Sequence, residues 1–260
     1  MTARLERTKM VAFGQQIGHW KTSPPRNCVA IIEVALVKGF DVIELDVRVS
    51  SDGVAVLAHD DVLKGPDGEI KVSETSVSEL LKFKVGVYED VPQYVVTLST
   101  ALAKAQDKDI LIDPRASSEG YMAIRSAVEN VGFDPAKLLF CVYREWQAKT
   151  VLEIFPESTG LYKFPMHFSE VGVDQLEKAA SLGMRGVMLF RPIYDEDFSG
   201  FMAELRKLNL QVLFYVHGGW PKPRKPDKPE ESLRNMVDCG VEYITTIACD
   251  TPAFKSLVGL

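Results

Sequence analysis

The sequence predicts an α/β protein, a (β/α)8 barrel of the TIM type with a small insertion after the second strand, on three observations. Short β-branched runs alternate with amphipathic helical stretches along nearly the whole chain, the rhythm of parallel strands joined by helical crossovers. The length, 260 residues, is close to that of one such barrel, about 250, and no Gly/Ser or Pro linker divides it, so residues 1–260 read as one domain. Polar and charged residues recur where the predicted strands end, the rim on which barrels carry their working groups. A doubly wound open sheet shares this rhythm and stays as the alternative, because rhythm alone does not show closure.

The elements follow in order. Val11–Gly18 reads as the first strand, ending at His19-Trp20, and Val29–Lys38 as a helix closed by Gly39. Val42–Val49 is rich in β-branched and aliphatic residues, so Glu44 and Asp46 share one face while Ile43, Leu45 and Val47 share the other. Asp52-Gly53 signals a two-residue type I′ hairpin leading into Val54–His59. Ser51 would then face Val54, and the register counts back until Asp46 stands across from His59. A polar, Gly- and Pro-bearing excursion over 62–95, with a short amphipathic piece at Val77–Leu81, reads as the insertion. The rhythm then resumes. Strands are predicted at Asp109–Asp113, Leu138–Tyr143, Thr159–Phe164, Gly186–Phe190, Gln211–His217 and Glu242–Ile247. The helices between them are Thr97–Gln106, Gly120–Val131, Glu145–Ile154, Val173–Leu182, Asp197–Leu208 and Glu230–Cys239.

Composition bounds the function. A hydrophobic content of 46% with 25% charged residues describes a soluble globular chain with ample core. The net charge of −6 gives no general attraction to nucleic acid or anionic lipid, so the expected partner is a small molecule, and an anionic one needs a local cation. The opening stretch lacks a signal-peptide core, and nowhere are there about 18 consecutive apolar residues, so a cytoplasmic protein with no membrane insertion is expected. Cys28, Cys141, Cys239 and Cys249 show no C-x-x-C spacing and suggest neither a zinc site nor a disulfide framework.

On the barrel reading several groups converge on one rim: His19 after strand one, Glu44 and Asp46 on strand two, Asp113 and Arg115 at strand three, Lys163 at strand five and His217 at strand seven. A solvated strand face would account for any one of them. Two acids within a nearly apolar strand, however, are costly to ionise without a cation. Three carboxylates from neighbouring strands, Glu44, Asp46 and Asp113, suit one hard divalent cation, Mg²⁺ or Ca²⁺. His19 and His59 are then left as general base and general acid, and nearby Arg or Lys would neutralise an anion. That set of groups is suited to displacement at phosphorus.

The run GHW, PPRNC and GFDVIELDVRVSSDGVAVLAHDD resembles the glycerophosphodiester phosphodiesterase family, whose pattern is H-R-G, then E-N-T, then E-x-D with a D-G turn and a closing H-D. The ending GVEYITTIACDTP is similar to that family's G-V-D-x-I-x-T-D-x-P. The resemblance implies a metal-dependent phosphodiesterase with Glu44, Asp46 and Asp113 as metal ligands and His19 and His59 as the catalytic pair. The chain departs from the pattern at Trp20 for Arg, Arg26 for the Glu of E-N-T, Asp113 for Glu and Arg115 for Lys, and it has Phe214-Tyr215-Val216-His217 for W-T-V-N. The expected substrate is a small glycerol- or sugar-phosphodiester, such as a glycerophosphodiester or an agrocinopine-like sugar diester, with Arg26, Arg115 and Lys163 on its phosphate. His217 and Trp220 would line the alcohol side, or pack under the Pro-rich loop PKPRKPDKPE. Intramolecular transfer to a cyclic product, and a binding barrel without turnover, are the alternatives.

Overall fold

The structure is a computed structural model that describes residues 8–12, 23–167, 170–190, 199–216 and 229–246. Its strands are β1 (Lys9–Ala12), β2 (Val42–Val49), β3 (Ala55–Leu57), β4 (Val62–Gly65), β5 (Gly68–Lys71), β6 (Lys84–Tyr88), β7 (Val91–Tyr94), β8 (Asp109–Pro114), β9 (Leu138–Val142), β10 (Thr159–His167), β11 (Gly186–Phe190), β12 (Gln211–Val216) and β13 (Tyr243–Thr246). The helices are α1 (Val29–Val37), α2 (Val77–Leu80), α3 (Leu98–Lys104), α4 (Gly120–Asn130), α5 (Glu145–Ile154), α6 (Val173–Ser181), α7 (Ser199–Lys207) and α8 (Pro229–Asp238).

The sheet closes. Its order is β1-β13-β12-β11-β10-β9-β8-β2, and β1 pairs in parallel with both β13, through Val11↔Thr245, and β2, through Val11↔Val42. Closure decides between the two readings of the rhythm in favour of the (β/α)8 barrel, and it leaves no open edge among these strands. β1 starts two residues ahead of the predicted Val11, and the predicted strand beyond Ala12 lies outside the described residues.

The turns at the bottom of the barrel share one chemistry. α1, α4, α6, α7 and α8 each end with an N–H two residues past the cap returning to the carbonyl five positions back, as in Phe40 to Ala35 at 3.2 Å and Met184 to Ala179 at 3.2 Å. Gly39 at φ 71° and Asn209 at φ 54° fill the left-handed position that this closure requires. Each helix therefore stops and feeds the next strand at once, which leaves the opposite rim to the longer βα connections.

Strand alternation separates two cores. Ile43, Leu45, Ile110, Ile112, Phe140, Val187, Val212, Phe214 and Ile244 face the helices, and Val11, Val42, Leu111, Leu139, Cys141, Leu161, Met188, Leu213 and Tyr243 fill the barrel interior. No helix among the described residues is long and apolar enough to cross a membrane.

The hairpin after β2 differs from the sequence expectation by one residue. β3 runs antiparallel to β2 with Val47↔Leu57, Arg48↔Val56 and Val49↔Ala55 in register. Its loop has three residues, Ser51-Asp52-Gly53, closed by the Ser50 N–H on the Val54 carbonyl at 3.0 Å. Gly53 is at φ 82° while Asp52 is not in the left-handed region, so the turn is not type I′. The Asp52 side chain accepts hydrogen bonds from Ser50 Oγ at 2.6 Å and from the Val77 N–H at 2.9 Å, which favours this longer loop. The residue paired with Asp46 is consequently Ala58, whose N–H donates to the Asp46 carbonyl at 3.0 Å, and not His59.

Between β3 and α3 lie the hairpins β4–β5 and β6–β7 with α2. They enclose a small apolar cluster of Val56, Ala58, Val72, Leu80 and Val95. The segment is tied to the β2–β3 hairpin by the Ser51 N–H on the Thr75 carbonyl at 3.0 Å and to Asp61 by the Ser73 N–H at 3.0 Å.

Candidate active site

Two residues above the apolar floor, the inward positions of the same strands change character. Val42 is followed inward by Glu44 and Asp46, Leu111 by Asp113, Cys141 by Tyr143, Leu161 by Lys163 and Leu213 by Tyr215. Asp46 and Asp113 are direct partners in the β2–β8 register. Among the described residues, ligand atoms of Glu44, Asp46 and Asp113 lie within 4.8 Å of one another, and the three residues are 1%, 0% and 0% exposed.

Three carboxylates brought this close and out of water repel unless cations attend them. Arg115, one residue past β8, supplies one: its Nε and Nη2 donate to Asp46 Oδ1 at 3.3 and 3.2 Å, and Nη2 donates to Asp113 Oδ2 at 3.0 Å. Lys163 supplies another, with Nζ 3.4 Å from Asp113 Oδ2 and 2.9 Å from Tyr143 Oη. Its ammonium also lies over the rings of Tyr143 and Tyr215, at 4.9 and 5.1 Å from their centroids. Burial works against the charge of both cations. Their neighbours outweigh it, Asp113 first for Arg115 and Cys141 ahead of Asp113 and Glu44 for Lys163, so both pKa values lie above those of the free side chains.

The two tyrosines complete the layer. Tyr143 Oη donates to Asp113 Oδ2 at 2.6 Å and Tyr215 Oη to Glu44 Oε1 at 3.4 Å. Burial pushes both phenols well above the usual tyrosine range, which keeps them protonated as donors. Asp113 Oδ1, by contrast, is buried without a hydrogen-bond partner. An orphaned carboxylate oxygen beside two more carboxylates is the donor set of a hard divalent cation, so the residues present fit Mg²⁺ or Ca²⁺.

The structure therefore brings together Glu44, Asp46, Asp113, Arg115 and Lys163. His59 lies just past β3, partly exposed, with Nδ1 2.8 Å from Asp60 Oδ1 and its carbonyl held by Arg48 Nε at 3.0 Å. Arg26 is exposed in the turn ahead of α1, next to Asn27, which is buried at φ 53°. His19, Trp20, His217 and Trp220 lie outside the described residues. Sequence reasoning missed Tyr143 and Tyr215. The available signal was the apolar alternation of β9 and β12 ending in an aromatic with a polar tip. A cavity of about 570 Å³ adjoins the site, with Arg115 in its wall together with Arg48, Ser50, Asp61, Ser73 and Ser117.

A closed parallel barrel with a buried carboxylate cluster and two cations at its C-terminal rim is the framework of a barrel enzyme with a hard-cation site. Residues 20–246 match the model of the glycerophosphoryl diester phosphodiesterase family, and the chain belongs to that family of phosphoric diester hydrolases. No curated protein sequence matches. Solved structures share the fold at low identity. A glycerophosphodiester phosphodiesterase from Agrobacterium tumefaciens is 22% identical at a TM-score of 0.72, with 96% of this chain and 99% of that one covered. A phosphodiesterase from Oleispira antarctica, solved in complex with the product sn-glycerol-3-phosphate, is 17% identical at a TM-score of 0.75, with 98% of each chain covered. A glycerophosphoryl diester phosphodiesterase from Parabacteroides distasonis is 17% identical at a TM-score of 0.74, covering 99% of this chain and 88% of that one.

Proposed function

We propose that the enzyme hydrolyses a small glycerol- or sugar-phosphodiester, a glycerophosphodiester or an agrocinopine-like sugar diester, with Mg²⁺ or Ca²⁺ held by Glu44, Asp46 and Asp113. The observation that carries this reading is the buried set of three carboxylates, one with an unpartnered oxygen, in a chain of this family. The Oleispira antarctica relative, solved with sn-glycerol-3-phosphate, supports glycerol on one side of the phosphate. A bound divalent cation supplies Lewis-acid charge to the non-bridging phosphoryl oxygens.

The chain's own residues do the rest. Arg115 and Lys163 carry positive charge at the same rim and share it with the incoming anion. Arg26 is assigned to the same phosphate, since Trp20 cannot supply a cation there. His59 and His19 are the proton-transfer pair: one takes the proton of the attacking water and the other gives a proton to the departing alkoxide, a service worth about 10²- to 10⁴-fold each. His217 and Trp220 are assigned to the alcohol portion of the substrate.

The test is turnover of a panel of glycerol and sugar phosphodiesters with Mg²⁺ or Ca²⁺, read by phosphorus NMR in ¹⁸O-labelled water. A phosphomonoester carrying solvent oxygen is the expected product. A cyclic phosphate would assign the site to intramolecular transfer, and absence of turnover across the panel would remove the reading.

A further inference from the structure

We propose that Tyr143, braced by Lys163, is a positioning residue that commits one oxygen of Asp113 to protein donors and so turns the site toward a small cation of the Mg²⁺ type over Ca²⁺. This rests on the reading of Glu44, Asp46 and Asp113 as a cation site, and it goes further by assigning the choice of ion to residues that do not touch it.

Asp113 is held asymmetrically. Its Oδ2 receives Tyr143 Oη at 2.6 Å, Arg115 Nη2 at 3.0 Å and Lys163 Nζ at 3.4 Å, while its Oδ1 is buried with no partner. Three donors are more than the two lone pairs of one carboxylate oxygen satisfy, so Oδ2 has no capacity left for a metal. Asp113 then offers one oxygen and cannot chelate through both. Asp46 Oδ1 likewise takes two N–H groups of Arg115, at 3.2 and 3.3 Å.

The direction of the Tyr143 hydrogen follows from its neighbours. Lys163 Nζ has only protons to give, so at 2.9 Å Tyr143 Oη is the acceptor, and its own hydrogen is left for Asp113. Lys163 is itself confined between the rings of Tyr143 and Tyr215. The chain Lys163, Tyr143, Asp113 thus commits Oδ2 to protein donors and leaves Oδ1 as the oxygen without one.

Denticity discriminates the two ions. Ca²⁺ gathers six to eight oxygens at roughly 2.3–2.6 Å and commonly takes both oxygens of a carboxylate, whereas Mg²⁺ wants an octahedron at roughly 2.0–2.1 Å and takes one oxygen from each. Outer partners of this kind typically change metal affinity by about 10- to 100-fold when removed.

The experiment is calorimetric titration of the metal-free full-length protein with MgCl₂ alone and CaCl₂ alone, for the wild type and for Tyr143→Phe. The wild type should bind Mg²⁺ more tightly. Tyr143→Phe, which keeps the ring and removes one donor, should weaken Mg²⁺ about 10- to 100-fold and Ca²⁺ by less, narrowing the ratio of affinities about tenfold. Lys163→Met should narrow it in the same direction by a smaller factor. A loosened fold would weaken both ions alike and leave the ratio where it was, and that result overturns the proposal, as does a wild type that prefers Ca²⁺. If the wild type binds neither ion, the cation site falls as well. If it binds Mg²⁺ and the ratio does not move, only the role of Tyr143 falls.

Discussion

The lower and upper parts of the barrel interior obey opposite rules. The lower layer, with Val42, Leu111, Leu139, Leu161 and Leu213, is apolar and buried, and its worth is packing. The upper layer has Glu44, Asp46, Asp113, Lys163 and Tyr215 buried and Tyr143 half-buried, yet it holds three acids, two phenols and an ammonium, with Arg115 at its edge. The same strands and the same alternation position both. Burial therefore does not separate core from site here; the match between charge and partners does. The lower layer is complete, while the upper one keeps an unpaired oxygen on Asp113.

Substitutions should separate the layers. The largest effect falls on the upper one: Glu44→Gln and Asp46→Asn should each remove nearly all turnover, because on the proposed function each would delete a charged ligand of a hard cation. Both variants should remain folded by circular dichroism, and full activity with undiminished metal affinity in both would break the assignment. Arg115→Ala should lower kcat about 10²- to 10³-fold, the usual loss for one group that stabilises developing charge. It also strips a partner from Asp46 and Asp113, so melting temperature must be measured beside kcat. Leu139→Ala, in the lower layer, should do the reverse. It should cost about 2–5 kcal/mol of stability in denaturant unfolding while kcat per folded molecule is retained. The smallest effect is expected at Thr97, whose Oγ1 caps α3 by accepting the Thr100 N–H at 3.2 Å: Thr97→Ala should cost about 1 kcal/mol and leave turnover alone.

Much of this was legible in the chain. Barrel strands and helices were readable because β-branched runs and left-handed turn residues such as Gly39 act locally, and the predicted Val42–Val49, Glu145–Ile154 and Gly186–Phe190 match the structure residue for residue. The three acids were readable for the same reason, since alternation along β2 and β8 sets their face.

What failed was decided by distant contacts. The hairpin register depended on Asp52 accepting the Val77 N–H, from 25 residues away, and a one-residue change there removed His59 from its expected place across Asp46. The roles of Tyr143 and Tyr215 are not legible in the sequence, because nothing local says that an aromatic at the end of β9 or β12 will meet a carboxylate from another strand.

The most direct test is anomalous diffraction from crystals of the protein soaked in Mn²⁺, a probe that shares the oxygen preference of Mg²⁺ and Ca²⁺. A single anomalous peak is expected among Glu44, Asp46 and Asp113, within roughly 2.0–2.6 Å of their oxygens and with Asp113 Oδ1 among the ligands. A peak elsewhere, or none at the three carboxylates with Arg115 and Lys163 still bonded to them, would contradict a cation site at this rim.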